Sequence, residues 1–204
     1  MNIHLYLRPL RTRDENKESA IREKAMELIV KEGFDGFSMQ KLAKEASVSP
    51  ATIYIYYKNR EDLLNNLFNE VQEKFSETAL KNFNVNLSFE EGIWLQWKNR
   101  LQFIKSYPVY FRFMEQFRTS PLINHGDVKM SEFKENMKLF FKNAVKRGDI
   151  KKMEPEIFWS LAYGPFYALV RFHLKDKSII DHPFELSEAK LKMTFSSVMK
   201  GLKS

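Results

Sequence analysis

The sequence predicts an all-α chain of about nine helices, and three observations carry that expectation. Apolar residues recur at spacings of three and four through almost every segment, beginning with Ile21, Ala25, Leu28 and Ile29. Ser, Asp and Asn stand ahead of these runs and Gly or Pro behind them, the punctuation of helix starts and stops. Only one stretch, Ile53 to Tyr57, has the wholly β-branched and aromatic composition of a strand. A lone five-residue strand in a helical chain has no partner for its backbone N–H and C=O groups. Ser49 and Pro50, an N-cap followed by the helical position that welcomes proline, decide for a short helix instead.

The first helix runs from about Asn16 and stops at Gly33. Asp35-Gly36 turns the chain, Ser38 caps, and Met39, Leu42, Ala43 and Ala46 make a second helix of about two turns. Ser47-Val48 is a tight link to the short helix at Ser49-Pro50, whose Ile53 and Tyr57 lie four apart on one face and point to the core. Asn59 caps a long fourth helix, with Glu61 and Asp62 in its first turn where carboxylates suit the helix dipole. Leu64, Leu67, Phe68, Val71 and Phe75 hold its period to about residue 82. Ser88 and Glu91 form a capping box for a fifth helix through Trp94, Trp97, Leu101 and Ile104, which ends at Tyr107-Pro108. A shorter helix occupies 109–117, before Ser120-Pro121. Residues 130–147 set Phe133, Met137, Phe140, Phe141, Ala144 and Val145 on one face, and Gly148 stops them. Glu154-Pro155 opens an almost wholly apolar helix to about Lys175, interrupted at Gly164-Pro165, and Leu186 to Leu202 form a last amphipathic one.

A composition of 44% hydrophobic and 29% charged residues is that of a globular protein with a sizeable core. The absence of cysteine removes disulfides, thiolate metal sites and cysteine nucleophiles, and suits a reducing cytoplasm. The opening MNIHLYLRPLR lacks a charged region ahead of a long apolar one, so no signal peptide is expected. Residues 157–170 are apolar and uncharged but fall short of the about 20 that cross a bilayer, so no membrane partner is expected either. His4, His125, His173 and His182 are scattered, with no H-E-x-x-H pair, phosphate loop or nucleophile elbow, which speaks against an enzyme, a metal or a cofactor. Lys and Arg outnumber Asp and Glu by 33 to 26, which favours anionic partners. Residues 1–62 hold 11 basic and 10 acidic groups, so a nucleic-acid partner has to rest on local placement. Arg8, Arg11 and Arg13 cluster at the start, and Lys41, Lys44, Lys58 and Arg60 face a single Glu45 between residues 38 and 60.

Two short helices joined by a tight turn over about residues 38–57 match a helix-turn-helix, whose second helix lies in the major groove of DNA. The stretch EKAMELIVKEGFDGFSMQKLAKEASVSPATIYIYYKNREDLLNNLF closely resembles the N-terminal DNA-binding domain of the TetR family of bacterial transcriptional regulators. The likeness rests on the apolar first helix, the approach Gly33-Phe34, Gly36-Phe37-Ser38, and the runs LAKEASVS and TIYIYYKNRED, and it spans residues 15–68. The resemblance implies a helix-turn-helix domain over 1–62 and a helical ligand-binding and dimerisation domain over 63–204. By position it implies DNA contacts from Ser38, Gln40 or Lys41, and from a recognition helix opened by Ser49 that presents Ala51, Thr52, Ile55 and Tyr56 to the groove and Tyr54 to the phosphates. Lys58 or Arg60 would grip the backbone. The chemistry is compatible, since Gln40 can bond adenine twice and Thr52 and Ile55 can touch thymine methyls. Lys41 and Lys44 also fit plain solvated charges, and Arg8, Arg11 and Arg13 fit a tail as well as a minor-groove arm. Ser47 stands where the family commonly has glycine at φ > 0, a departure worth about 1 kcal/mol; Ala51 replaces a frequent glycine, and Ile55 a residue that is often polar.

Trp94, Trp97, Tyr107, Tyr110, Phe113, Met114, Phe117, Met137 and Phe141 make the middle helices unusually aromatic, which fits a pocket for an apolar or aromatic small molecule and equally fits simple core packing. The final two helices carry more apolar surface than one face needs, and the resemblance implies that they form a four-helix bundle across a two-fold axis, with Trp159, Tyr163, Phe166, Tyr167 and Val170 joining a homodimer. Together these imply a cytoplasmic, nucleoid-associated repressor released by its ligand, acting at a near-palindromic double-stranded operator. The alternative is a helical lipid- or hydrophobe-binding protein that no longer reads DNA, favoured by the near-neutral charge of the first 62 residues.

Overall fold

The structure is a computed structural model describing residues 14–118, 132–175 and 182–203. The clustered Arg8, Arg11 and Arg13, with His4 and His125, lie outside the described residues. Among those described, the chain forms α1 (Glu15–Gly36), α2 (Met39–Glu45), α3 (Pro50–Tyr56), α4 (Arg60–Ala79), α5 (Phe89–Ser106), α6 (Pro108–Arg118), α7 (Glu132–Arg147), α8 (Pro155–Lys175) and α9 (Glu188–Leu202). The only β pairing among them is a single antiparallel bridge, Ile150 to Lys203.

The chain divides into two compact units, Met1–Val71 with Val109–Asp127 and Gln72–Pro108 with Val128–Ser204, so that α4 passes from one to the other. The sequence places one boundary after residue 62; compactness instead gives the first unit the start of α4 and nearly all of α6. Aromatic packing is the reason. The Phe34 ring lies 5.4 Å from Phe117 and 6.4 Å from Phe113, Phe68 stacks on Phe117 at 4.5 Å, and Gln116 Nε2 donates to the Val30 carbonyl at 3.1 Å. Periodicity reveals that α6 is a helix, but not which partner its apolar face meets.

Within the first unit α1, α2 and α3 pack on one another, with Ile21, Ala25, Ile29, Leu42 and Ile53 fully buried. Burying each large aliphatic among them contributes roughly 1.5 to 3 kcal/mol, the term that holds two such short helices in place. The regular part of α1 ends at Gly33, whose φ of 75° and ψ of 176° break the helix before a last turn to Gly36. Ser38 Oγ accepts the Lys41 N–H at 3.2 Å to start α2, and Asn59 Oδ1 accepts the Asp62 N–H at 2.8 Å to start α4.

In the second unit α8 packs along α9 and against α5. Trp97 of α5 is fully buried between Phe166 of α8 and Phe195 of α9, each ring 5.4 Å away, and its indole N–H donates to the Ala162 carbonyl at 2.9 Å. Ser88 Oγ accepts the Glu91 N–H at 3.3 Å, the N-cap half of the expected capping box, while the Glu91 carboxylate accepts from the Ser88 hydroxyl at 2.6 Å and not from its backbone N–H. One glycine is required by space: a Cβ on Gly92 would lie 2.4 Å from the Phe140 ring. The interruption expected at Gly164-Pro165 is absent, because α8 runs unbroken with Pro165 inside it. Proline removes one bond, to the carbonyl of Leu161, on a side where Leu161 and Gly164 are exposed and solvent can serve that carbonyl. The buried Phe158, Ala162, Phe166 and Val170 hold the helix together on the other side.

Candidate nucleic-acid interface

The second short helix, α3, is built against its own propensity. Ser49 Oγ accepts the Thr52 N–H at 3.2 Å, Pro50 takes the first helical position, and the fully buried Ile53 and Tyr57 anchor the far side. The turn before it closes with Ser47 N–H donating to the Lys44 carbonyl at 3.2 Å and Val48 N–H to the Ala43 carbonyl at 2.9 Å, a Schellman-type ending. Ser47 has a φ of 53°, the left-handed conformation expected at that position. Burial pushes the Tyr57 hydroxyl up to about 12; Glu18 adds to the rise and the Arg22 guanidinium pulls against it.

This leaves an outer face made of Ala51, Tyr54 and Ile55 on α3, with Ser49 at its start and Ser38 and Gln40 on α2. Tyr54 is 52% and Ile55 44% exposed, unusual for side chains of this size. Lys58, just past α3, is exposed, and its backbone N–H donates to Asp62 Oδ2 at 2.8 Å.

Four residues expected to touch DNA are occupied within the protein. Thr52 is 8% exposed with its hydroxyl 2.8 Å from Ser49 Oγ, so it completes the cap instead of lying on the outer face. Tyr56 is half-buried, and its hydroxyl accepts the Asp14 N–H at 3.1 Å and donates to the Asp14 carbonyl at 3.2 Å. Lys41 pairs with Glu32 and reaches the Gly36 carbonyl. Arg60 Nη2 donates to the Phe34 carbonyl at 2.8 Å while its guanidinium lies over the Phe37 ring at 5.7 Å. A helical wheel cannot separate these from the free positions, because each is held by a partner distant in sequence or by a cap.

The start of α1 contributes a residue that sequence reasoning missed. Asp14 Oδ1 accepts the N–H groups of Asn16 and Lys17, at 3.1 and 3.3 Å, and the Lys17 ammonium beside it holds the carboxyl below its ordinary range. Lys17 thereby lines a hollow of about 260 Å³ together with Ser47, Ser49, Ile55 and Tyr56. Its only sequence signal is an Asp one residue ahead of the helix.

The aromatic residues of the middle helices fall into both units. Tyr110, Phe113, Met114 and Phe117 fold with the first, where Phe113 and Phe117 complete the core around Phe34. The Tyr110 hydroxyl donates to Glu70 at 2.5 Å; burial, then that carboxylate, hold it well above its ordinary pKa. Trp94, Trp97, Tyr107, Met137 and Phe141 fold with the second, where Trp94 lies on Phe195, Tyr107 on Phe103, Phe141 on Phe158, and Met137 accepts from the Tyr163 hydroxyl. Of the five residues assigned to dimerisation, Tyr163, Phe166, Tyr167 and Val170 are buried inside the protomer and Trp159 is half-buried. The apolar residues that α8 and α9 leave outside are instead Ile157, Leu161 and Met193. Apolar runs mark both faces alike, and only the packed partners distinguish them.

Among the described residues no helix is long and apolar enough to cross a membrane, and no group of three or more His, Cys, Asp or Glu is placed to hold a metal. A capped, exposed second helix behind a tight turn, at the head of a chain with nine helices and no strands among the described residues, is the arrangement of a helix-turn-helix regulator. Residues 21–67 match the family described as bacterial regulatory proteins, tetR family. An uncharacterized HTH-type transcriptional regulator of Haemophilus influenzae is 32% identical over 135 residues, 66% of this chain and 71% of that one. The fatty acid metabolism regulator protein of Bacillus subtilis is 41% identical over 77 residues, 38% of this chain and 40% of that one. A solved TetR family transcription regulator from Marinobacter aquaeolei VT8 superposes with a TM-score of 0.80 at 26% identity, covering 96% of this chain and all of that one. The chain belongs to the TetR family of transcriptional regulators, and the three similar proteins just named are regulators, not enzymes.

Proposed function

We propose that the protein is a homodimeric repressor that binds a near-palindromic operator in double-stranded DNA and leaves it when an apolar or aromatic small molecule binds its second unit. The exposed α2–α3 face carries the DNA half of this proposal. Gln40 and Ser38 supply hydrogen bonds, Ile55 and Ala51 offer apolar contact to thymine methyls, Tyr54 lies at the phosphates, and Lys58 neutralises one of them. Two such faces on a two-fold axis read half-sites about 34 to 36 Å apart. The name of the Bacillus subtilis relative refers to fatty acid metabolism, a field of chemistry in which an apolar effector is at home. Release follows as a population shift, because an effector that prefers the arrangement of low DNA affinity draws the protein toward it.

The test is binding to the DNA upstream of the protein's own coding region, titrated against salt. A repressor that controls itself gives a steep fall in affinity as salt rises. Lys58→Ala weakens binding to all sequences alike and lowers the salt slope by about 1. No salt-dependent binding to any DNA supports the alternative of a hydrophobe-binding protein that has lost its operator.

A further inference from the structure

Arg100, near the middle of α5, is fully buried. No carboxylate pairs with it among the described residues, and an arginine cannot shed its proton to escape the interior. Its guanidinium carbon lies 4.3 Å from the Tyr163 ring centre, about 5 Å from those of Phe75, Phe133 and Trp159, and 6.0 Å from that of Tyr167. Nη1 donates to the Tyr167 hydroxyl at 3.1 Å, while Nε and Nη2 have no well-aligned hydrogen-bond partner among the described residues, the nearby Tyr163 hydroxyl interacting with the guanidinium without such alignment. Those two nitrogens sit on one edge of the planar group and send parallel N–H bonds outward, the spacing that a carboxylate's two oxygens accept together. Ring faces stabilise a cation but satisfy none of its in-plane N–H groups.

We propose that Arg100 is the anchor for an organic acid with an apolar body, whose carboxylate is gripped side-on by Nε and Nη2 while the surrounding rings hold its hydrocarbon. The proposal rests on the effector proposed above and gives it a chemical class. Trp159 and Met137 are the partly exposed members of the cluster around Tyr163, so an entering acid would meet them first. The anion contributes charge where the protein supplies none, and the rings distinguish an amphiphilic acid from a bare inorganic ion. Fatty and aromatic acids both fit this description, so the probes include each.

The experiment titrates the full chain with hexanoate, decanoate and phenylacetate, with the matching alcohols, and with inorganic phosphate, followed by tryptophan fluorescence and calorimetry. Trp159 beside the arginine makes fluorescence a local reporter. At least one acid is expected to bind at least about 30-fold more tightly than its alcohol, the size of effect seen when a buried charge pair is made or broken. Arg100→Met, which keeps the apolar stem and removes a buried charge, folds with an undiminished melting temperature and abolishes that preference; Arg100→Lys keeps the charge, loses the fork and recovers only part of it. Equal affinity for acid and alcohol, equal acid affinity in wild type and Arg100→Met, or phosphate binding as tightly as the acids overturns the proposal. An alcohol that binds where its acid does not leaves an apolar effector standing and removes Arg100 as its anchor, whereas binding of no probe removes both.

Discussion

Tyr57 shows how one side chain serves α3 from the buried side. It carries no part of the outer face, yet it and Ile53 are what turn a strand-like run into a helix. Its hydroxyl titrates at about 12 instead of near 10, with burial the main cause. A raised folded-state value means the protein keeps this contribution below pH 10 and loses it as pH rises toward 12, because the unfolded chain ionises first. Tyr57→Phe should therefore leave stability at pH 7 within about 1 kcal/mol of wild type and lessen the alkaline loss, as measured by urea denaturation across that range. The neighbouring cations divide differently. Lys58→Ala should lower DNA affinity and leave the melting temperature unchanged, while Arg60→Ala, which abandons the Phe34 carbonyl and the Phe37 ring, should cost about 1 to 3 kcal/mol of stability.

At the scale of elements, much of the fold was legible because several helices carry their own start signal. Ser38, Ser49, Asn59 and Ser88 all accept the N–H they were expected to accept, and the helix bounds follow from them. Ser47 was legible too, as a residue in a left-handed position that glycine fits better. Ser47→Gly should stabilise the first unit by about 0.5 to 1 kcal/mol, seen as a raised denaturation midpoint with an unchanged slope. Pro165 misled, since its sequence signal is the same whether the freed carbonyl is buried or faces solvent. In the candidate site, the exposure of Gln40, Ala51, Tyr54 and Ile55 was legible from helix spacing, while the contacts that hold Thr52, Tyr56, Lys41 and Arg60 within the protein are encoded in no periodicity. Gly92 was passed over for a similar reason, since only the packed Phe140 ring shows why it lacks a side chain. Gly92→Ala should cost about 1 to 3 kcal/mol by overpacking, a loss that the volume-relieving pair with Phe140→Leu partly restores.

At the scale of the whole molecule, the proposed dimer rests on the outward side of α8 and α9, where Leu161 is 48% and Met193 68% exposed, while Tyr163, Phe166 and Val170 belong to the protomer's core. Leu161→Glu with Met193→Glu should yield a folded monomer in sedimentation and a matching loss of operator affinity, because an isolated head holds only one half-site. Aromatic-to-Ala changes at the buried positions should instead unfold the unit, by about 3 to 5 kcal/mol each. The first unit has a consequence for how the protein is made. Its core closes only when Phe113 and Phe117 reach Phe34 and Phe68, so a ribosome that has finished residue 71 has not finished the DNA-reading head. The whole of 72–108 has to emerge before those rings do, which places that stretch in the tunnel while the head waits unsealed. A head transplanted between regulators by cutting after α3 or within α4 leaves this seal behind; one that also carries residues 109–118 brings it along.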